Sequence, residues 1–414
     1  MDSARADILA AREQLAVRGW IARHAEAFRH LPPPGAAVWL GDDEPGAADC
    51  DAHPLAGAGW TLHPVGHSPQ GRVDARWLDA RDALQRAELF ADLPPADDGE
   101  AAPFAWAHRA LCRQGLRLRI GGEPGAARGA AGTVWLQLRR QPRSGVEAPL
   151  LVIEVLAGVH CVLVERHERE PGQCGRAVVQ NLHAHIRLDE GATLQHLRIA
   201  MPDENDRIAH HLQTRLGRGA RYHQALIATG SSYHLQRQQI ELQGDGSDAR
   251  VAGVLFAADA TVEQQVRVSH TGAHTRSDVE SLVLASGGAR AVVNAHTRIA
   301  PGADEADVRQ RLNGVPISGQ PKLVLRPHLE IHHDKVQAAH GATWGALPAD
   351  ALFYARQRGL SEAFARRLIV EGMASALFER CLGGPELPHT LGIDTLLGQV
   401  ASRQFMSVSG AADG

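Results

Sequence analysis

Hydrophobic positions along the chain change period twice. Over residues 4–30, apolar Ile8, Leu9, Leu15, Ile21 and Phe28 are set among good helix formers and stopped by Pro32-Pro33-Pro34. This predicts an amphipathic helix ended by proline. Residues 35–72 are rich in Gly, Pro and Asp and carry no clear period, and two more helices are expected near residues 74–90 and 104–114. From about residue 115 to 340 the pattern is alternation. Val262, Val266 and Val268 share one face while Glu263, Gln265 and Arg267 share the other, as in a strand with one buried face. The same holds for Val293, Ala295, Thr297 and Ile299, and for Leu323, Leu325, Leu329 and Ile331 against Val324, Arg326, Glu330 and His332. Glycine-bearing turns, from Gly191 to Gly319, break these segments. Residues 148–164 divide into two strands at Ala157-Gly158.

Many short strands with small apolar inward residues suit a stacked β-solenoid, but no exact repeat is visible, so pattern alone leaves sandwich, barrel and solenoid open. After Gly345 the helical period returns through Leu352, Phe353, Ala355, Phe364, Leu368, Ile369, Met373 and Leu377, with Gly359 as a stop and Ser361 as the next N-cap. Three regions follow: a helical and loop-rich part at 1–114, a β core at 115–345, and a C-terminal helical domain at 346–414 with a frayed tail. The last is expected to lie beyond the final strand.

Composition narrows the function. Lys plus Arg total 43 against 47 Asp plus Glu, a net charge of −4, which disfavours a broad nucleic-acid footprint. Charged residues at 22% and apolar residues at 44% are globular values and argue against a membrane protein. Only Lys322 and Lys335 are lysines, and neither stands in a phosphate-binding glycine loop, so nucleotide hydrolysis of the P-loop kind is excluded. The five cysteines, Cys50, Cys112, Cys161, Cys174 and Cys381, have no close pair, so neither a disulfide framework nor a Cys-rich zinc site is expected. The opening MDSARADILAAREQL has no basic segment followed by an apolar one, so no export signal is expected and the cytoplasm is the default.

Histidine is over-represented, at 23 residues, which makes metal chemistry worth testing. His340 stands in Ala-Ala-His-Gly-Ala-Thr, expected as a loop whose small neighbours leave the imidazole accessible; it is either a ligand for iron or a structural histidine. Glu330 and His332 should project together from one strand, as weak metal candidates or as the rim of an interface. His183 with His185, and His210 with His211, are expected to be solvated or structural. Gly244 to Ala249 fits the letter of a dinucleotide fingerprint, but a strand pattern follows it, so it is a turn. Phe353, Tyr354, Arg356, Arg358, Gly359, Arg366 and Arg367 combine arginine with aromatics on a helical hairpin, which is either a solvated face or an interface.

The segments RPHLEIHHDKVQAAHGATWGAL (326–347) and LFYARQRGLSEAFARRLIVEGM (352–373) resemble the C-terminal signature of the SufB/SufD family of iron–sulfur cluster assembly proteins. The resemblance implies a right-handed parallel β-helix between helical terminal domains. Within the family the chain is nearer the SufD branch: the cysteine that commonly lies two residues before this histidine is Ala338 here. It implies a non-catalytic scaffold whose partners are SufB, along the β-helix, and the ATPase SufC, docked on the C-terminal helices. It further implies His340 as a cluster-side residue, no cofactor bound stably by the isolated chain, and a nascent iron–sulfur cluster shared with SufB. A homodimer without SufB is a further expectation. Two other readings are a stand-alone β-helix enzyme acting on polysaccharide and a homodimeric His-rich metal-binding protein.

Overall fold

A computed structural model describes residues 3–41, 56–57, 59–64, 73–94, 99–121, 132–142, 145–167 and 177–406. In chain order, α1 (Ser3–Arg18), α2 (Ala36–Leu40), β1 (Ala56–Gly57), β2 (Trp60–Pro64), β3 (Val73–Asp79), α3 (Ala83–Leu89) and α4 (Ala102–Leu111) come first. Then follow β4 (Gln114–Ile120), β5 (Val134–Arg140), β6 (Val146–Glu147), β7 (Leu150–Val155), β8 (His160–His167), β9 (Val179–Leu188) and β10 (Thr193–Ala200). The ladder continues through β11 (Arg207–Leu216), β12 (Arg221–Thr229), β13 (Tyr233–Leu242), β14 (Asp248–Ala258), β15 (Thr261–His270) and β16 (Arg276–Ser286). It ends with β17 (Arg290–Ile299), β18 (Ala306–Pro316), β19 (Lys322–Ile331) and β20 (Val336–Trp344), and the helices α5 (Ala349–Gln357), α6 (Glu362–Leu382), α7 (Glu386–Thr390) and α8 (Ile393–Met406) complete the described chain.

Consecutive strands alternate between two sheets. One runs β5-β8-β10-β12-β14-β16-β18-β20 and the other β19-β17-β15-β13-β11-β9-β7-β4, every one of these pairings parallel; antiparallel β2 and β3 flank them at the N-terminal side. This is a parallel β-helix with two strands per coil. Thr193, Arg221, Asp248, Arg276, Asp307 and Gln337 are successive register partners, and their unequal spacing is why no repeat period shows in the sequence. Between the sheets lies a core of small and medium apolar side chains, including Leu163, Leu194, Leu212, Val251, Val266, Val283 and Val293.

Both outer faces are covered, so the alternation hides a second burial. Against the sheet that contains β10, the side chains Leu197, Ile199, Ile227, Val254, Phe256 and Leu282 pack on Val370, Ala374, Leu377 and Phe378 of α6. The C-terminal helices therefore fold back over the β-helix instead of standing beyond its last strand. Gln195 Nε2 donates to the Leu382 carbonyl (2.7 Å), and Arg380 pairs with Glu280 (2.8 Å). The other sheet's outer face packs Ala209, Tyr233, Leu235 and Val292 against Phe28, Trp39 and Phe104 of the N-terminal part. This is why Glu263 and Gln265, expected on an open face, are 1% and 5% exposed.

Two expected helices are corrected. The first ends at Gly19, not at the proline run: Gly19 takes φ +77° and its N–H closes on the Leu15 carbonyl, and a 3-10 turn at Glu26–Phe28 follows. Residues 74–90 are not one helix. Val73, Ala75 and Trp77 alternate toward the core in β3, and the helix begins only after Asp82, whose carboxylate accepts from the N–H groups of Leu84 and Gln85. Of the expected turn at Gly244 to Ala249, residues 244–247 form the turn, with Gly246 at φ +70°, and Asp248 and Ala249 already belong to β14. The expected frayed tail, Cys50 and Cys174 lie outside the described residues.

Candidate functional site

Among the described residues the column of coils ends on two strands, each paired along one side only: β19 with β17, and β20 with β18. His340 is in β20 and not in a loop. Apart from His340, residues 338–343 are too small to show alternation, yet the whole stretch pairs in register with β18. The hydrogen bond from Gly345 N–H to the Gly314 carbonyl sets the parity. Odd residues of β20 face β18, so the backbone N–H and C=O of Val336, Ala338, His340 and Ala342 point to the open edge. On β19, Lys322 N–H and His332 N–H bond back toward β17, which leaves Leu323, Leu325, Leu329 and Ile331 with their N–H groups outward. Pro327, which has no N–H, interrupts that row.

Register also fixes the faces. His340 is the partner of Gln310, which points between the sheets, so His340 stands on the inward face of a coil that no further coil covers, and it is exposed. Ile331 (45% exposed) and Trp344 (76%) flank this end. Glu330 and His332 are elsewhere. They project from the outer face of β19, where the Glu330 carboxylate accepts from His332 Nε2 (2.7 Å) and also lies 3.4 Å from both His296 Nε2 and Arg298 Nε. The His332 bond, first, and these neighbouring charges hold the Glu330 carboxyl below its ordinary range. The structure thus does not bring His340 together with Glu330 and His332. Among the described residues no three His, Cys, Asp or Glu side chains close on one point that could hold a metal ion.

At the C-terminal helices, Phe353 and Tyr354 on α5 are 66% and 61% exposed, and Arg358 lies over the Tyr354 ring (5.1 Å). Arg367 lies over the half-exposed Phe364 ring (4.8 Å). Arg366 is tied down: it donates to Glu362 (2.7 Å) and to the Ile317 carbonyl (3.0 Å), so it anchors α6 to the β-helix. Arg356 is exposed on α5, and Gly359 turns the chain at φ +81°.

Of the histidine pairs, His183, His210 and His211 are buried and structural, while His185 is half-buried. His183 and His211 stack at 4.7 Å under α4, and His108 lies 4.4 Å from His183. His210 belongs to a network that crosses the space between the sheets. Glu165, fully buried, accepts from Arg198 Nε (3.1 Å), from His196 Nε2 (2.8 Å) and from His167. Arg198 reaches Gln236 (2.9 Å), and His210 Nε2 donates to Gln180 (2.7 Å). Burial raises the Glu165 carboxyl, but the Arg198 charge and the histidine bonds overcome it and leave it well below its ordinary value. Nothing in the alternation marked these inward polar positions, because Glu165, His196 and Arg198 each satisfy the next only across strands.

Among the described residues the fold is thus a parallel β-helix with one bare end and an exposed aromatic helical hairpin. A family model described as "SUF system FeS cluster assembly, SufBD core domain" matches residues 139–373, and the chain belongs to this family. The chain is 24% identical over 195 residues to "Iron-sulfur cluster assembly protein SufD" of Escherichia coli (strain K12), covering 47% of the chain and 46% of that protein. A SufBD family protein of Synechocystis is 22% identical over 236 residues (56% and 50% coverage), and one of Mycobacterium tuberculosis is 30% identical over 199 residues (44% and 48%). The chain spans about half the length of the curated relatives it matches. Among the described residues no helix is long and apolar enough to cross a membrane.

Proposed function

We propose that this chain is the SufD-like scaffold subunit of a cytoplasmic complex that assembles iron–sulfur clusters. The observation that carries the reading is the bare coil end with His340 exposed on it, in a chain whose core belongs to the SufBD family. In this reading SufB joins the β-helix at that end, and SufC sits on the α5–α6 hairpin through Phe353, Tyr354, Arg356, Arg358 and Gly359, with Arg366 and Arg367 behind them. SufC supplies the ATP hydrolysis; this chain performs no catalysis. The nascent cluster is cargo shared across the SufB contact. His340 offers one imidazole, a ligand type that suits iron and holds a cluster more loosely than thiolate does. The remaining donors come from SufB. Glu330 and His332, on the outer face, are rim residues in this scheme.

The test is co-expression of the full chain with SufB and SufC. The chain should carry both partners through purification, Phe353→Asp should lose SufC alone, and His340→Ala should keep normal subunit ratios while iron content and visible absorbance fall several-fold. A normal cluster load in His340→Ala would make the histidine structural. Failure to retain either partner would remove the scaffold reading.

A further inference from the structure

Gln310 occupies the position on β18 directly opposite His340 and is 1% exposed. Register partners of a parallel ladder put their side chains on one face, about 4.8 Å apart. The orientation of the Gln310 amide follows from what it touches. One terminal atom lies 3.2 Å from the His328 carbonyl and 2.8 Å from Thr297 Oγ1. A carbonyl oxygen only accepts, so that atom is the NH2. The other atom, Oε1, is buried and has no hydrogen-bond partner. A buried amide acceptor without a donor is uncommon in a folded protein. The nearest side chain in register that could supply one is the imidazole of His340.

Resting on the reading of His340 as a cluster ligand, we propose that Gln310 is its positioning residue: Oε1 accepts the N–H of one ring nitrogen and leaves the lone pair of the other directed outward from the coil end. Histidine ligands characteristically give their second nitrogen to such an acceptor, which fixes tautomer and ring orientation. Thr297 and the His328 carbonyl keep the amide from flipping. The outward nitrogen is then a preformed donor for iron, available as soon as a partner covers the end.

The test uses the isolated full-length chain without iron, so that it does not depend on the ligand reading. Diethylpyrocarbonate attacks the ring nitrogen that carries a lone pair, and its rate at the His340 peptide, followed by mass spectrometry at about pH 8, reports how that nitrogen is presented to solvent. An acceptor on the second nitrogen holds the first toward solvent and keeps its lone pair available, so Gln310→Leu should slow modification of His340 several-fold, and Gln310→Glu should leave it at least as fast as wild type. Gln310→Asn, which draws the oxygen back by one methylene, should fall between wild type and Leu and guards against misfolding of the Glu variant. In the complete complex the iron load should follow the same order, with Leu lowest and subunit ratios unchanged. If the His340 peptide is modified at the same rate in all four proteins, the positioning role is wrong, whatever His340→Ala does to the cluster. If the rates change as expected but His340→Ala keeps its iron, the ligand reading fails and the role of Gln310 in assembly falls with it.

Discussion

Glu263 projects from the outer face of β15 beneath the segment that contains Ala27. Its Oε1 accepts from Gln265 Nε2 (2.8 Å) and Asn294 Nδ2 (2.9 Å), while Oε2 is buried without a partner. Burial pushes this carboxyl up to about 8 against the opposing hydrogen bonds and the Arg237 charge. Because the folded value is raised, the stabilisation is complete below the unfolded value near 4.5 and is lost as pH rises through about 8. The native protein should therefore melt at progressively lower temperature from pH 6 to pH 9. Glu263→Gln should flatten that slope and, at pH 9, be more stable by on the order of 2 kcal/mol; parallel melting curves for the two proteins would refute it. At this scale the sequence was half legible. Val262, Val266 and Val268 announced the inward face, whereas the burial of Glu263 depends on a segment more than 230 residues earlier, which strand periodicity cannot see.

The docking of α4 on the β-helix is an element held partly by neutral imidazoles. His108, His183 and His211 form one column, and both His211 nitrogens and His183 Nε2 are buried without partners. The charged groups that act on these rings are Arg237, Arg86, Arg109 and His185, all cationic when charged, with no carboxylate among them. Burial, reinforced by those charges, drives all three below their ordinary value, His108 to about 3. Lowered imidazoles confer stability that is complete above 6.5 and is lost as pH falls toward the folded values. Mass-spectrometric hydrogen exchange, corrected for intrinsic rates, should show α4 losing protection between pH 7.5 and 5 more steeply than β12–β16. Equal slopes would mean that the column does not govern the docking. The element map from sequence was sound where one face decides, as in β15 and β17, and in α6, whose Ser361 cap and Gly359 stop are in place. It failed for β3, where good helix formers follow too closely on three alternating residues.

As a whole the molecule is a column clad on both broad faces, by α1–α4 on one and α6–α8 on the other, and bare at one end. The end was legible as a family signature, because its side chains stand in fixed order along β19, β20 and α5. The cladding was not: apolar residues on both faces of a strand read as a mere blurring of the alternation. The bare end has a consequence for colloidal behaviour. A coil with a free parallel edge is a template on which an identical coil could stack, and repeated stacking would give filaments. Pro327 removes a donor from the outward row of β19, at a position where no neighbouring strand among the described residues needs one. A missing donor in that row would work against templated growth, while the β20 edge stays open. Pro327→Ala should fold normally, since its coil loses no ladder bond, yet show more high-mass species by light scattering after size-exclusion chromatography as concentration rises. An unchanged mass distribution would show that the edge is blunted by something other than the missing donor.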